Sequence, residues 1–291
     1  MVLGAAESAA TAPPASFRDE YGPVVTASEE PTQFPELNVL LAELVSRAAR
    51  ILGGSFVGAY LQGSFAVGDA DLHSDCDFLI PVSAAVTPAQ EAALRELHDE
   101  IPTRGGHWTQ HLEGSYPPVD ELRSLAGLER EWLYIDHGWR RMQWSTHCNT
   151  EVVRWSLRER GVTLAGPDPR SLVDEVPAEA LRARMLEAVE TFLPELMTWI
   201  SFDIAWAQRF AVTTLCRILY TLETATVASK KACLVWASER LDAGWAPLFA
   251  QVLADRDLGW AADQEPRPGS VETTLAFAEY AKSYARSSAV R

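Results

Sequence analysis

Two aspartates separated by one residue carry the clearest chemical signal in the sequence. Asp75 and Asp77 directly precede the apolar run 78–82, which has the composition of a buried strand. Side chains two residues apart in a strand point to the same face, about 6.6 Å apart along the chain. Neighbouring carboxylates repel each other unless a cation lies between them, and Mg²⁺ prefers such oxygen ligands while leaving room for phosphates. The spacing therefore predicts a metal site at Asp75 and Asp77.

A glycine-serine pair, Gly63-Ser64, precedes the aspartates, with ten residues between Ser64 and Asp75. It follows the apolar run 56–61, which we expect to be a buried strand. Because glycine has no Cβ, backbone N–H groups at this pair can approach a phosphate closely. Each motif alone is common. Together, between two predicted strands, they predict a cradle for a phosphate beside the metal site.

These motifs, in segments 60–64 and 74–80, resemble the signature of the polymerase-beta nucleotidyltransferase superfamily. In that superfamily the glycine-serine turn holds the triphosphate and the two aspartates bind metal. Further segments resemble aminoglycoside adenylyltransferases of the streptomycin/spectinomycin type, over roughly residues 36 to 285. Those further segments are 112–117, 150–155, 161–167 and 214–220.

The resemblance implies an α+β fold, in which a polymerase-beta-like nucleotidyltransferase domain with a mixed sheet is followed by an all-helical C-terminal domain. It implies transfer of AMP from ATP, with Mg²⁺, to a hydroxyl of an aminoglycoside or a spectinomycin-like aminocyclitol, and hence antibiotic resistance. Two alternatives stay open. One is a nucleotidyltransferase that acts on a different small molecule or on a protein hydroxyl. The other is a non-catalytic nucleotide-binding regulator of the same fold, which the presence of Asp75, Asp77 and Glu113 disfavours.

The resemblance also implies roles for single residues around the nucleotide. Glu113 takes the position of the family's catalytic carboxylate, where it can bind metal and accept the proton of the attacking hydroxyl. Ser74 joins the glycine-serine pair as a nucleotide-binding residue. Lys230 matches a lysine that reaches the nucleotide from the C-terminal domain, and its neighbour Lys231 is the alternative.

Acceptor recognition is implied for Trp132, which matches an aromatic position of the drug pocket, and for Asp203, near an acidic position that pairs with drug amines. The next acidic position of the family is Ala207 here, and Phe210 lies three residues further on. The resemblance therefore implies an acceptor pocket that is less acidic and more apolar than in streptomycin-modifying relatives. Spectinomycin or another hydroxylated acceptor remains open.

Charge and composition limit the partners. A net charge of −15 repels a nucleic acid, and it is compatible with a small cationic acceptor. No apolar run approaches the roughly 18 residues that span a bilayer. The N-terminal residues lack a basic leader with an apolar core. We therefore expect a cytoplasmic protein without membrane partners, as a monomer or weak dimer. The four cysteines have no metal-ligand spacing, which predicts buried free thiols.

The composition predicts a disordered tail over 1–17, and the pattern of apolar residues predicts a mixed α/β domain over 18–175 and a helical domain over 176–291. The resemblance implies that the first is the nucleotidyltransferase domain and that the second closes on substrate and nucleotide. His107, His111 and His147 lack the spacing of metal ligands, so we assign them no role. We predict strands over 56–61, 78–82 and 108–116. We predict helices over 35–52, 87–101, 149–160, 181–199, 205–222, 230–241 and 271–284.

Overall fold

The structure is a computed structural model that describes residues 30–260 and 263–289. The tail predicted for residues 1–17 lies outside the described residues. Within the described ranges, none of the helices combines the length and the apolar character needed to cross a bilayer.

A six-stranded mixed sheet forms the first part of the described chain. Its order is β5-β4-β3-β2-β1-β6; β2 and β3 run parallel at its centre, and all other neighbours are antiparallel. Side chains level with each other on the two parallel strands share a face of the sheet. The strands are β1 (Ala59–Leu61), β2 (Cys76–Leu79), β3 (Leu112–Tyr116), β4 (Trp132–Ile135), β5 (Gln143–Ser145) and β6 (Val162–Ala165).

Within the described residues, six α-helices accompany the sheet. The longest, α1, buries apolar residues at helical spacing, including Leu37, Leu41 and Leu44, against one face of the sheet. It ends at Gly53, whose positive φ suits a helix C-terminus. The helices are α1 (Pro35–Leu52), α2 (Gly63–Ala66), α3 (Pro88–Glu100), α4 (Val119–Arg123), α5 (Glu151–Arg160) and α6 (Pro169–Leu172).

The second part is helical. Helix α8 lies at its centre and contacts α7, α9, α10 and α11, because its apolar residues cover more than one face and are buried by all four neighbours. This core includes Leu215, Phe249 and Phe277, all with less than 2 % exposure. The helices are α7 (Ala178–Leu196), α8 (Ala205–Thr224), α9 (Lys230–Arg240), α10 (Ala246–Ala254) and α11 (Ser270–Ala289).

The loop that leads into β2 joins the two parts. The Arg256 guanidinium lies 2.7 Å from Asp71 Oδ2 and 3.0 Å from Asp69 Oδ2. It also donates to the backbone carbonyl of Asp69, and the Trp260 indole N–H donates to the His73 carbonyl at 3.0 Å. The segment just before Asp75 is therefore held by the helical part. We call these contacts of Arg256 and Trp260 with loop 69–73 the loop clamp.

The fold class agrees with the sequence prediction, an α+β arrangement with a mixed sheet followed by helices. The predicted strand over 108–116 is wrong in its first half, because Trp108–Gln110 form a 3₁₀ turn and β3 begins at Leu112. Strands β4 to β6 and helices α4, α6 and α10 were not predicted. The four cysteines are free and buried, as expected. The domain boundary between residues 175 and 176 stays a prediction.

Candidate active site

Three carboxylates meet on the central parallel strands. Asp75 lies immediately before β2, Asp77 lies within it, and Glu113 on β3 is the register partner of Asp77. Cys76, between the two aspartates, points the other way into the core beneath α1, as alternation requires. The structure therefore brings together the three carboxylates that the sequence singled out, on the face of the sheet opposite α1.

The negative charges of the three carboxylates destabilise one another's ionised form. Burial, and then the charges of Glu113 and Asp75, raise the pKa of Asp77. Burial also raises the pKa of Asp75, against the opposing effect of His137. Asp75 Oδ1 is buried and has no hydrogen-bond partner within the described part of the chain. A bound cation would stabilise all three carboxylates and give this oxygen a partner.

Gly63 fits closely against Asp77. Its φ of +57° is the left-handed region, and a Cβ added there would lie 1.9 Å from Asp77 Oδ2. The next residue, Ser64, has a buried hydroxyl oxygen without a hydrogen-bond partner among the described residues. The turn therefore fixes the Asp77 carboxylate on one side and presents a free hydroxyl on the other.

Two cations face this turn from the helical part. Arg217 on α8 and Lys230 at the start of α9 line a cleft of ≈ 350 Å³ together with Gly63 and Ser64. Burial and the charge of Arg217 lower the pKa of Lys230, whereas Asp75 and Asp77 act in the opposite direction. Lys231, by contrast, is exposed, and only its backbone N–H approaches the loop, donating to Asp69. Of the two lysines considered, Lys230 occupies the cleft.

The Glu113 carboxylate is surrounded by groups that the sequence did not indicate. Tyr134 donates its hydroxyl to Glu113 Oε1 at 3.0 Å, and His147 Nε2 lies 3.2 Å from the same oxygen. His137 Nδ1 lies 4.0 Å from Glu113 Oε2 and 3.9 Å from Asp75 Oδ1. The neighbouring Asp136 carboxylate, and then Asp75 and Glu113, raise the pKa of His137 to about 9.

No role was predicted from the sequence for Arg217, Tyr134, His137 or His147. Arg217 lies within segment 214–220, and an arginine in a mostly apolar helix was the available signal. The other three lie on or beside β4 and β5, which were not predicted, so no local pattern linked them to Glu113.

A larger cleft of ≈ 650 Å³ lies between the loop before β2 and the helical part. Ser74 lines it, with its hydroxyl hydrogen-bonded to Asp71, and Lys230 lines it from the opposite side. Its apolar wall is aromatic: Trp206 and Phe210 have ring centroids 5.1 Å and 6.1 Å from that of Trp260. This wall suits a flat or apolar ligand surface.

Two predicted acceptor residues lie elsewhere. Trp132 is 0 % exposed, and its indole N–H donates to the Glu121 carboxylate at 3.0 Å. In this conformation it therefore offers no surface to an acceptor. Asp203 is exposed just before α8 and accepts a hydrogen bond from the Ser201 hydroxyl. No described contact joins Asp203 to the carboxylate group.

Known proteins resemble this chain in sequence. The family model for the aminoglycoside adenylyltransferase C-terminal domain matches residues 171–283. A spectinomycin 9-adenylyltransferase of Staphylococcus aureus (strain N315) is 26 % identical over 201 residues, 64 % of this chain and 72 % of the relative. An aminoglycoside (3'') (9) adenylyltransferase of Shigella flexneri is 27 % identical over 250 residues, 74 % of this chain and 84 % of the relative. The chain is a homologue of the aminoglycoside adenylyltransferases. The resemblance inferred from the motifs is thereby confirmed.

A solved structure supports the same fold for this adenylyltransferase homologue. The crystal structure of a spectinomycin adenyltransferase from Enterococcus faecialis with ATP and spectinomycin superposes with a TM-score of 0.63 at 15 % identity. The alignment covers 85 % of this chain and 98 % of that protein. The predicted nucleotidyltransferase fold with its helical second part is therefore confirmed.

Proposed function

We propose that the protein is an enzyme that transfers AMP from ATP to a hydroxyl of a small acceptor, an aminoglycoside or a spectinomycin-like aminocyclitol. The observation that carries the proposal is the meeting of Asp75, Asp77 and Glu113 on one sheet face, opposite two cations of the helical part. Relatives named as adenylyltransferases of these drugs support the reaction class. Antibiotic resistance would follow from such an activity.

The carboxylate group fits Mg²⁺. Its donors are hard oxygen atoms, one of them the buried and unpartnered Asp75 Oδ1, and Gly63 holds Asp77 in place. Asp75 and Asp77 would hold the ion, with Glu113 as a third oxygen ligand. When bound, the ion neutralises charge on the triphosphate and polarises the phosphoryl group that is transferred.

The cleft between the glycine-serine turn and helices α8 and α9 is the proposed triphosphate site. Ser64 offers its unpartnered hydroxyl and Gly63 its backbone N–H. Arg217 and Lys230 neutralise the outer phosphates and the pyrophosphate that leaves. Ser74 lines the adjoining larger cleft, where it contacts the remainder of the nucleotide in this proposal.

Glu113 acts as the base. The hydrogen bond from Tyr134 to its Oε1 orients the carboxylate, which accepts the proton of the acceptor hydroxyl. The acceptor oxygen then attacks the α-phosphorus, a new oxygen–phosphorus bond forms, and the bond to pyrophosphate breaks. The base and the aspartates are held at a fixed separation because they stand on hydrogen-bonded neighbouring strands.

The acceptor enters from the side of α8. Asp203, exposed at the beginning of this helix, is the proposed partner of an acceptor amine. The aromatic wall favours an acceptor with an apolar face, such as spectinomycin, over the more polar streptomycin. Ala207, at the position of the family's second acid, is buried in the helical core. The proposal includes two domains, over 18–175 and 176–291, that act together in a monomer or weak dimer.

The test is pyrophosphate release from ATP and Mg²⁺ with the full chain, against a panel of aminoglycosides and spectinomycin. We expect release with at least one drug, and a loss of about 10²-fold or more in Asp77→Asn and Glu113→Gln. Asp203→Asn should mainly raise KM for the acceptor. ATP binding without release for any acceptor would contradict the proposal and favour the regulator alternative. Full activity of Asp77→Asn would contradict the metal assignment.

A further inference from the structure

A histidine belongs to the carboxylate group although no sequence motif includes it. One ligand atom each from Asp75, Glu113 and His137 lie within 4.8 Å of one another. His137 lies in the loop between β4 and β5, and the loop directs its ring onto the sheet face that carries the carboxylates. Its Nδ1 is 3.5 Å from Asp136 Oδ1 and 3.9 Å from Asp75 Oδ1, the buried oxygen that lacks a partner within the described ranges, so the ring turns from Asp136 to reach an ion at Asp75.

These separations suit one shared ion. Atoms bound to one ion at about 2.0–2.2 Å lie roughly 3–4 Å apart around it. The distances of 3.9 Å and 4.0 Å from His137 Nδ1 are at the long end of that span. Because the loop residue is half exposed, its ring can shift inward by a fraction of an ångström without disturbing the core.

Resting on the proposed function, we propose that His137 is a direct ligand of the ion held by Asp75 and Glu113. We propose further that it raises the affinity of this site for a transition-metal ion such as Mn²⁺ relative to that for Mg²⁺, which the site still binds. Imidazole nitrogen is a donor that first-row transition ions accept readily, whereas Mg²⁺ strongly prefers oxygen and ordered water. A nitrogen ligand therefore lowers the relative affinity for Mg²⁺.

A different role for His137 predicts the opposite effect on Mn²⁺ affinity when the ring is removed. If the ring serves only as a positive counter-ion for the two carboxylates, a metal ion must displace it. Removing the ring would then leave Mn²⁺ affinity unchanged or increase it. If the ring is a ligand, removing it lowers Mn²⁺ affinity and abolishes any contact between its nitrogen and the bound ion.

The experiment is an EPR titration of the full chain with Mn²⁺ in the absence of nucleotide, followed by competition with Mg²⁺ and pulsed EPR for nitrogen coupling. His137→Ala and His137→Gln are compared with His107→Ala, whose ring stacks on that of His111, at 4.1 Å between centroids. Thermal unfolding checks that each variant is folded. We expect both His137 variants to bind Mn²⁺ about tenfold or more weakly, to lose selectivity over Mg²⁺, and to lose the nitrogen coupling. His107→Ala should match the parent.

Two results would overturn the inference. One is unchanged or tighter Mn²⁺ binding in folded His137 variants. The other is nitrogen coupling that survives in those variants and disappears in His147→Ala. Failure of the proposed function is separable, because metal binding is measured without ATP or acceptor. A chain that binds Mn²⁺ through His137 but transfers no AMP would keep the inference and refute the function. A chain that transfers AMP but whose His137 variants bind metal as the parent does would support the function and refute the inference.

Discussion

The contact between Gly63 and Asp77 gives a sharp test of how the site is held. Alanine at position 63 would place its Cβ 1.9 Å from Asp77 Oδ2, whereas ordinary contact begins at 3.4 Å. The carboxylate or the turn must therefore move by about 1.5 Å, and misplacement by about 1 Å can cost around 10²-fold in rate. The positive φ adds roughly 1–2 kcal/mol of backbone strain.

We therefore expect Gly63→Ala to lower the rate of AMP transfer about 100-fold or more and the free energy of unfolding by about 1–2 kcal/mol. Pyrophosphate release at saturating ATP measures the first quantity, and urea unfolding followed by circular dichroism measures the second. Gly53→Ala is the matched control, since Gly53 has the same φ of +57° with no atom within 4 Å of the added Cβ.

Gly53→Ala should lower the free energy of unfolding by a similar amount while keeping the rate of AMP transfer within about twofold of the parent. It introduces the same backbone strain without a clash against a carboxylate. A Gly63→Ala enzyme that keeps half of the parent rate would refute the close placement of the turn against Asp77. Equal loss of rate in both variants would show that stability, and not the position of the carboxylate, limits activity.

Three further outcomes follow from the structure. Arg217→Met should weaken ATP binding about tenfold or more, because it removes one of the two cations facing the phosphate turn. An equilibrium titration measures this, and a Kd equal to that of the parent contradicts the role of Arg217 in binding the triphosphate. Arg256→Leu should raise KM for ATP in steady-state kinetics, because the loop before β2 loses the ion pair between Asp71 and Arg256. An unchanged KM excludes a role of the loop clamp in ATP binding. Burial lowers the pKa of His98 from 6.5 to about 3. Below pH 6.5 the unfolded chain binds a proton at this residue and the folded chain does not, so the free energy of unfolding falls by about 2 kcal/mol at pH 5. Urea unfolding of His98→Leu should lack this part of the pH dependence, and an equal pH dependence in both proteins contradicts the burial of a neutral ring.

Long periodic segments and the metal-binding motif could be predicted from the sequence, because their information is local. Helix α1 begins and ends where its apolar period does, and Asp75 and Asp77 share a face by strand alternation. Strands of three or four residues, such as β4 and β5, contain too few alternations to stand out from a loop.

The surroundings of Glu113 could not be predicted for a different reason. The hydrogen bond from Tyr134 and the approach of His137 join residues about 20 positions apart in sequence, through a strand pairing that no local pattern encodes. Trp132 shows the limit of a position-by-position resemblance. Its aromatic character fits a pocket wall, yet the side chain lies in the core, where the Arg154 guanidinium is 5.4 Å from its ring centroid.

The carboxylates on β2 and β3 and the aromatic wall of the larger cleft belong to different parts of the fold. The reacting carboxylates are carried by adjacent backbones at the middle of the sheet, whereas the aromatic wall of the larger cleft is supplied by α8 and the segment after α10. In the proposed function, substitutions at Trp206 or Phe210 can therefore change the preferred acceptor without altering the spacing of the phosphoryl-transfer groups. Acceptor preference can then change by point mutation while the carboxylates that support the reaction keep their positions.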